Sequence, residues 1–257
     1  MMITIHKYFL FFLFKFFKLF LDNFLKQVRF LISMGDKIIF DFDGVILDSF
    51  PDQFNWFQHI CNFLEKPFPY SSLDELKKDY REPVYPDMYS FLGFDWNKEK
   101  NVIWDEYIKH KAHSEVSLFD GIDNVIKELH GNGKTLAIAS SNTHDAIYRQ
   151  LDEHKLRSYF DVVIGKDDLP VENGEPQLKP HPACLLLALD QLGCKPAETK
   201  YVGDQPSDII AARRVREYRD FSMPVVAVTY GFSPKEELLK MNPEAVAYSP
   251  KELPANL

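Results

Sequence analysis

Lys37-Ile38-Ile39-Phe40-Asp41-Phe42-Asp43-Gly44-Val45-Ile46-Leu47-Asp48-Ser49 is an apolar run that ends in two carboxylates two residues apart. An apolar run bounded by Gly predicts a buried strand of a parallel sheet, with Asp41 at its C-terminal tip. Open α/β sheets place their chemistry at that edge. Two buried acids there are costly unless a positive group compensates them, and a divalent cation held by hard oxygen ligands, Mg²⁺, is the simplest compensator. A strand-end Asp followed by an ordinary Asp-Gly turn accounts for the segment equally well, so the rest of the chain decides.

At 257 residues the chain has room for one large domain or for a core with a smaller insert. Cys61, Cys184 and Cys194 are odd in number and lack zinc-type spacing, which excludes a disulfide framework and points to a reducing compartment, the cytoplasm. The net charge of −8 is unevenly spread: residues 1–33 hold five basic side chains (Lys7, Lys15, Lys18, Lys26, Arg29) against Asp22, so the front is +4 and the remainder −12. An acidic body argues against nucleic-acid binding. A phosphorylated substrate would need local positive charge from a metal and one or two placed lysines.

Residues 8–21, YFLFFLFKFFKLFL, carry one narrow polar stripe at helical spacing but are too short and lysine-broken for a membrane span. Three readings stay open: a helix lying on a membrane surface, a signal-like segment without a small-residue cleavage site, or an extension outside the native fold, with Met34 as the start. Ser49-Phe50-Pro51-Asp52 predicts a helix start, with Ser49 as cap. From there to about Ser117 helical spacing (Phe54, Trp56, Phe57, Ile60, Phe63, Leu64) is broken by Pro67, Pro69, Pro83 and Pro86 and resumes near Lys98–His113, without a β-branched run. This predicts a small helical insert. His59, His110 and His113 are read as surface or structural residues; Lys77, Lys78 and Arg81 could reach a substrate carboxylate but are read first as a solvated face.

Strand and helix then alternate. Strands are predicted at Thr135–Ala139, Asp161–Gly165, Thr199–Asp204 and Pro224–Thr229, with helices at Gly121–His130, from Asn142 or Thr143 to Glu153, and at Ala183–Leu192; Lys166–Leu178 is a polar loop. Single helices between strands imply a doubly wound parallel sheet. Three strands end in Asp41, Ser140 and Asp204 at one edge, with Lys179 just before a helix nearby. Asp41 and Asp204 can hold Mg²⁺, Ser140 and the backbone N–H groups of the following helix can hold phosphate oxygens, and Lys179 can neutralise the remaining charge. Asp41 would then be a nucleophile forming an aspartyl-phosphate, and Asp43 the acid/base.

DFDGV, the strand ending ASSN, LKPHP and VGDQPSD, in this order, resemble the four motifs of the haloacid dehalogenase-like superfamily. A helical insert directly after the first motif is similar to its subfamily I with a type 1 cap, and DFDGVILDSFPD resembles the phosphoglycolate phosphatase branch. The resemblance spans roughly residues 36–250 and implies a Rossmann-like core of residues 34–49 and 118–257, a helical cap of residues 50–117, and residues 1–33 as an N-terminal extension. Residue by residue it implies Asp41 as nucleophile and metal ligand, Asp43 as acid/base with its backbone carbonyl on the metal, Lys179 as the motif III lysine, Asp204 as metal ligand, and Asp208 as a supporting acid at the metal site. The second motif registers on Ser140 or Ser141, with strand alternation and the following Asn142 favouring Ser140; Ser140, Ser141 and Asn142 form the phosphate-binding set with Lys179. The dehalogenases lack an acid at the position of Asp43, so its presence implies a phosphatase.

The expectation is a Mg²⁺-dependent hydrolase of a small phosphomonoester, phosphoglycolate-like or a sugar phosphate, cytoplasmic, and peripheral to the membrane if residues 1–33 are present. A phosphosugar mutase uses the same two acids but keeps its phosphoenzyme from water, and a noncatalytic scaffold would have no need of the acid pair. No cap residue stands out as a specificity determinant, and Arg213, Arg214, Arg216 and Arg219 are read as a solvated face.

Overall fold

The structure, a computed structural model, describes residues 37–80 and 87–257. The readings placed on residues 1–33 and on Met34, Arg81, Pro83, Pro86 and the His113 side chain lie outside the described residues. Six strands form one parallel sheet: β1 (Lys37–Phe40), β2 (Thr135–Ala139), β3 (Val162–Ile164), β4 (Thr199–Gly203), β5 (Val225–Val228) and β6 (Ala245–Ala247), in the order β6-β5-β4-β1-β2-β3. The doubly wound α/β class is as expected. The sixth strand was not anticipated, because Ala245-Val246-Ala247 is three residues long and half-buried, too short for a periodic signal.

β1 is central, and Ile38, Ile39 and Phe40 are fully buried. Alternate residues feed the two faces: Ile38 and Phe40 join the cluster containing Ile122, Ile126 and Leu136, while Ile39 joins Ala137, Leu185 and Tyr201. Each such side chain contributes roughly 1.5–3 kcal/mol by leaving water. Phe40 pairs with both Ile138 and Val202. That register brings Asp41, Ser140 and Asp204 to a common edge, each one or two residues beyond its strand's last paired position.

The chain leaves the sheet after β1 through Leu47–Asp48, which pairs antiparallel with Ser117–Leu118 on the way back. Between these lie α1 (Phe50–Phe63), α2 (Leu73–Asp79) and α3 (Trp96–His113), whose aromatic residues form their own buried cluster around Trp56, Phe57, Tyr89 and Ile103. One residue from beyond this segment, Phe232, is buried in that cluster, its ring 5.1 Å from Phe50 and 5.6 Å from Tyr80. Asp52, 8% exposed, ties α1 to α3 through His110 at 2.8 Å and Lys111 at 2.5 Å. His110 is therefore structural, as read.

α4 (Ile122–Gly131) buries Ile122, Val125, Ile126 and Leu129, the i, i+3, i+4, i+7 stripe of an amphipathic helix. α5 (His144–Glu153) is capped by Thr143, whose hydroxyl accepts from the Ala146 N–H. α6 (Ala183–Leu192) and α7 (Pro206–Arg214) cover the other face. The Lys166–Leu178 loop holds a single 3-10 turn and a two-residue hairpin, Val171–Glu172 with Glu175–Pro176. Arg213 departs from the solvated-face reading: its guanidinium is bound to the carbonyls of Met241 and Asn242, closing the end of the following helix.

Candidate active site

Asp41 leaves β1 with its N–H bound to the Val202 carbonyl at 2.8 Å, and its carboxylate accepts from the Phe42 N–H at 2.7 Å and from Lys179 at 2.8 Å. The same lysine donates to Asp208 at 2.8 Å and to the Tyr201 hydroxyl at 3.1 Å, and that hydroxyl in turn donates to Asp208 at 2.7 Å. Burial pushes the Asp41 carboxyl up to about 7, with the Asp208 charge adding to the rise and Lys179 opposing it. Burial alone would discharge Lys179, but Asp208 and Asp41 hold its ammonium well above the ordinary range. One cation thus serves two buried carboxylates.

Asp204 and Asp208 are fully buried, and one oxygen from each of Asp41, Asp204 and Asp208 lies within 4.8 Å of the others. The Asp204 carboxylate accepts from the Phe232 N–H at 2.6 Å. Asp208 is saturated: one oxygen takes Lys179 and Tyr201, and the other takes the N–H groups of Asp204 and Gln205, each at 3.0 Å. Two neighbours of Asp204 must be glycine. Gly44 has φ +79°, and a Cβ there would stand 2.1 Å from the Asp204 carboxylate; one on Gly231 would stand 2.3 Å from it.

A metal of hard-oxygen preference fits these residues. Three buried carboxylates face one ammonium, and crowding of this kind is relieved by a divalent cation. With Asp208 fully engaged, the residues suited to hold it are Asp41 and Asp204.

Asp43 is only half-buried. Its carboxylate is fixed by the Ser49 hydroxyl at 2.6 Å and the Asn142 amide at 3.2 Å. The predicted cap role of Ser49 is overturned here. It occupies the helix-start position but caps nothing with its side chain, because that hydroxyl is given to Asp43. Ser140 is buried and its hydroxyl accepts from the Asn142 N–H at 3.1 Å, whereas Ser141 is exposed. The chain thus brings Asp41, Asp43, Ser140, Asn142, Lys179, Asp204 and Asp208 to one sheet edge and leaves Ser141 facing solvent.

Four further residues escaped the reading of the sequence. Tyr201 sits three residues before Asp204 on β4, and Ser49 six after Asp43, so local spacing held a weak signal for both. Phe232 lies 28 residues from Asp204 and nothing in the sequence connects them. Lys77, expected on a solvated face, is half-buried and donates to the Gly231 carbonyl, beside Asp204; Lys78 is exposed as read. Burial lowers the Lys77 pKa, and Asp204 and Asp48 oppose that shift. The thiols are free; burial pushes Cys184 up to about 12 and Cys61 to about 11, so neither is a nucleophile at neutral pH.

A family profile described as "Haloacid dehalogenase-like hydrolase" matches residues 38–216. A phosphoglycolate phosphatase of Synechococcus elongatus is 30% identical over 220 residues, covering 84% of this chain and 94% of that protein. One of Vibrio parahaemolyticus is 26% identical over 227 residues, covering 84% and 93%. Among solved structures, a haloacid dehalogenase-like family hydrolase of Streptococcus pneumoniae has a TM-score of 0.71 at 23% identity, covering 88% of this chain and 99% of that one. A subfamily IA hydrolase of Geobacter sulfurreducens has a TM-score of 0.58 at 20% identity, covering 88% and 97%; these two likenesses concern the fold alone. The class is that of an α/β phosphoric monoester hydrolase. The chain belongs to the haloacid dehalogenase-like hydrolase family. Among the described residues no helix is long and apolar enough to cross a membrane.

Proposed function

We propose that the protein is a Mg²⁺-dependent phosphatase that hydrolyses a small organic phosphomonoester through an aspartyl-phosphate on Asp41. The observation that carries this is the contrast between the two acids: Asp41 is buried and aimed by Lys179, while Asp43 is half-buried and steered by Ser49 and Asn142. An Asp41 oxygen attacks phosphorus as the ester P–O bond breaks, and Asp43 gives its proton to the departing alkoxide. Asp43 then takes a proton from water as that water attacks phosphorus, which releases inorganic phosphate and restores Asp41.

Ser140, Asn142 and Lys179 hold the phosphate oxygens in this reading. Asp41 and Asp204 would hold Mg²⁺, together with the Asp43 backbone carbonyl, and the ion would supply charge neutralisation at the transferring phosphoryl group. Asp208 is assigned a supporting role, orienting Lys179 and the turn that carries Asp204. Residues 34–49 and 118–257 act as the core and residues 50–117 as a cap that excludes bulk water. Phosphoglycolate is the substrate that the relatives' names bring forward, and a sugar phosphate is the second class in this reading.

The test is phosphate release by the purified chain with Mg²⁺ across 2-phosphoglycolate, sugar phosphates and pyrophosphate, beside Asp41→Asn. Turnover by wild type that falls at least about a thousandfold in Asp41→Asn and stops in EDTA is the expected result. Undiminished turnover by Asp41→Asn would overturn the covalent mechanism, and transfer to a sugar acceptor in place of phosphate release would favour the mutase.

A further inference from the structure

Beside the acid pair lies a cavity of about 510 Å³ between α3 and the start of α5. It is lined by Trp104, Tyr107 and Ile108 from α3 and by Asn142, Lys166 and the exposed Arg149. Asn142 fixes its position relative to the chemistry, because its amide is bound to the Asp43 carboxylate at 3.2 Å. The leaving oxygen must reach Asp43 to be protonated, and this cavity is lined by a residue bound to Asp43.

Size and lining say which leaving group the cavity suits. The carbon and carboxylate atoms of glycolate would take up roughly 120 Å³, at about 30 Å³ for each water-sized group, so this solvent-open cavity has room for a larger group. Two aromatic side chains form the wall, with ring centroids 5.7 Å apart and planes at 79°, so an aromatic ring stacked on one meets the other edge-on, an arrangement that aromatic groups favour. The charged lining is mainly cationic. Lys111 is committed to Asp52 at 2.5 Å, and Asp145, also in the lining, is exposed. Lys166 lies over the Trp104 ring at 5.3 Å and pairs with no carboxylate among the described residues. Arg149 spends one nitrogen on the Lys111 carbonyl at 2.9 Å, and its remaining N–H groups have no acidic partner there.

We propose that the natural substrate is a phosphomonoester whose leaving group is a planar ring system with a negative charge at its far end, the ring lying against Trp104 and Tyr107 and the anion meeting Arg149 and Lys166. This rests on the phosphatase reading above and narrows its substrate class, away from two-carbon acids and neutral sugars.

Two aryl esters separate the idea from its alternatives. 4-Carboxyphenyl phosphate carries the anion, and 4-carbamoylphenyl phosphate has nearly the same shape, no charge at that end and a slightly better leaving phenol, so a preference for the carboxylate ester runs against intrinsic reactivity. For wild type, kcat/KM for the carboxylate ester is expected at least about tenfold above that for the amide and above that for 2-phosphoglycolate. In the Arg149→Gln/Lys166→Gln double variant the preference for the carboxylate should fall to near parity. Equal rates for the two aryl esters in wild type, or a preference for 2-phosphoglycolate over both, overturn the proposal while leaving the phosphatase reading intact. If wild type hydrolyses no ester, the phosphatase reading fails instead, and binding of 4-hydroxybenzoate, followed by tryptophan fluorescence, decides the site by itself. Saturable quenching that is lost in the double variant supports it; no binding overturns it.

Discussion

Asp41 is the residue at which burial and function oppose each other most directly. In the absence of a cation its carboxyl sits at about 7, against 3.8 in an exposed chain. Between those values the folded protein keeps a proton that the unfolded chain has already released. The unfolded state therefore binds fewer protons, and this group makes stability fall as pH rises from about 4 to about 7. Asp41→Asn removes the titration. In EDTA, the unfolding free energy of Asp41→Asn relative to wild type should rise with pH by roughly 1 kcal/mol per unit up to neutrality and level off above it. Urea titrations at pH 5, 6, 7 and 8 measure this, and a difference that stays constant would mean that Asp41 is already ionised throughout.

At the level of elements, the site depends on contacts between the helical segment and the sheet edge. α2 was not legible as a helix of its own, because it lies in the proline-broken stretch between Leu64 and Lys98; Ser72 caps it by accepting from the Glu75 N–H. The destination of Lys77 was not legible, because the Gly231 carbonyl it reaches is 154 residues away. That contact closes α2 over Asp204. Lys77→Met keeps the alkyl stem and removes the ammonium, so kcat/KM for a phosphoester should fall about tenfold, the worth of one hydrogen bond from a charged group. Thermal stability should change little, since the side chain is only half-buried. Unchanged kcat/KM would show that α2 closes without this contact.

The whole molecule offers a built-in probe of how its parts are joined. All three tryptophans, Trp56, Trp96 and Trp104, lie in the helical segment, so their fluorescence reports on that segment, whereas far-UV circular dichroism reports on everything. Phe232 links the two: its ring is buried among Phe50 and Tyr80 while its N–H holds Asp204. In wild type the fluorescence and dichroism transitions in urea should coincide. Phe232→Ala creates a cavity costing about 3–5 kcal/mol and should split them, the fluorescence transition coming first. Coincident transitions in the variant would mean that other contacts between the two parts, among them Lys77 with the Gly231 carbonyl and Arg149 with the Lys111 carbonyl, suffice to couple them.

By itself the sequence determined the α/β class and five of the six strands, because a parallel sheet buried on both faces needs uninterrupted apolar strands, and these end in polar residues at the edge that carries the candidate site. The same rule placed Asp41, Ser140 and Asp204 together, each being the next residue after an apolar run. Lys179 was read from its charge and its place before a predicted helix, whereas Asp208 came from motif likeness alone. Only the tertiary structure decided that Asp208 is saturated, that Ser49 serves Asp43 and not its own helix, that Lys77 reaches the core, and that Trp104, Tyr107, Arg149 and Lys166 share one cavity. For Ser49 and Asp208 the partners are mostly near in sequence but their choice among several acceptors and donors depends on packing; for the rest the reason is distance along the chain. Strand and helix periods are local and repeat within a few residues, whereas a contact across 28, 99 or 154 residues leaves no periodic trace and exists only once the segments have packed.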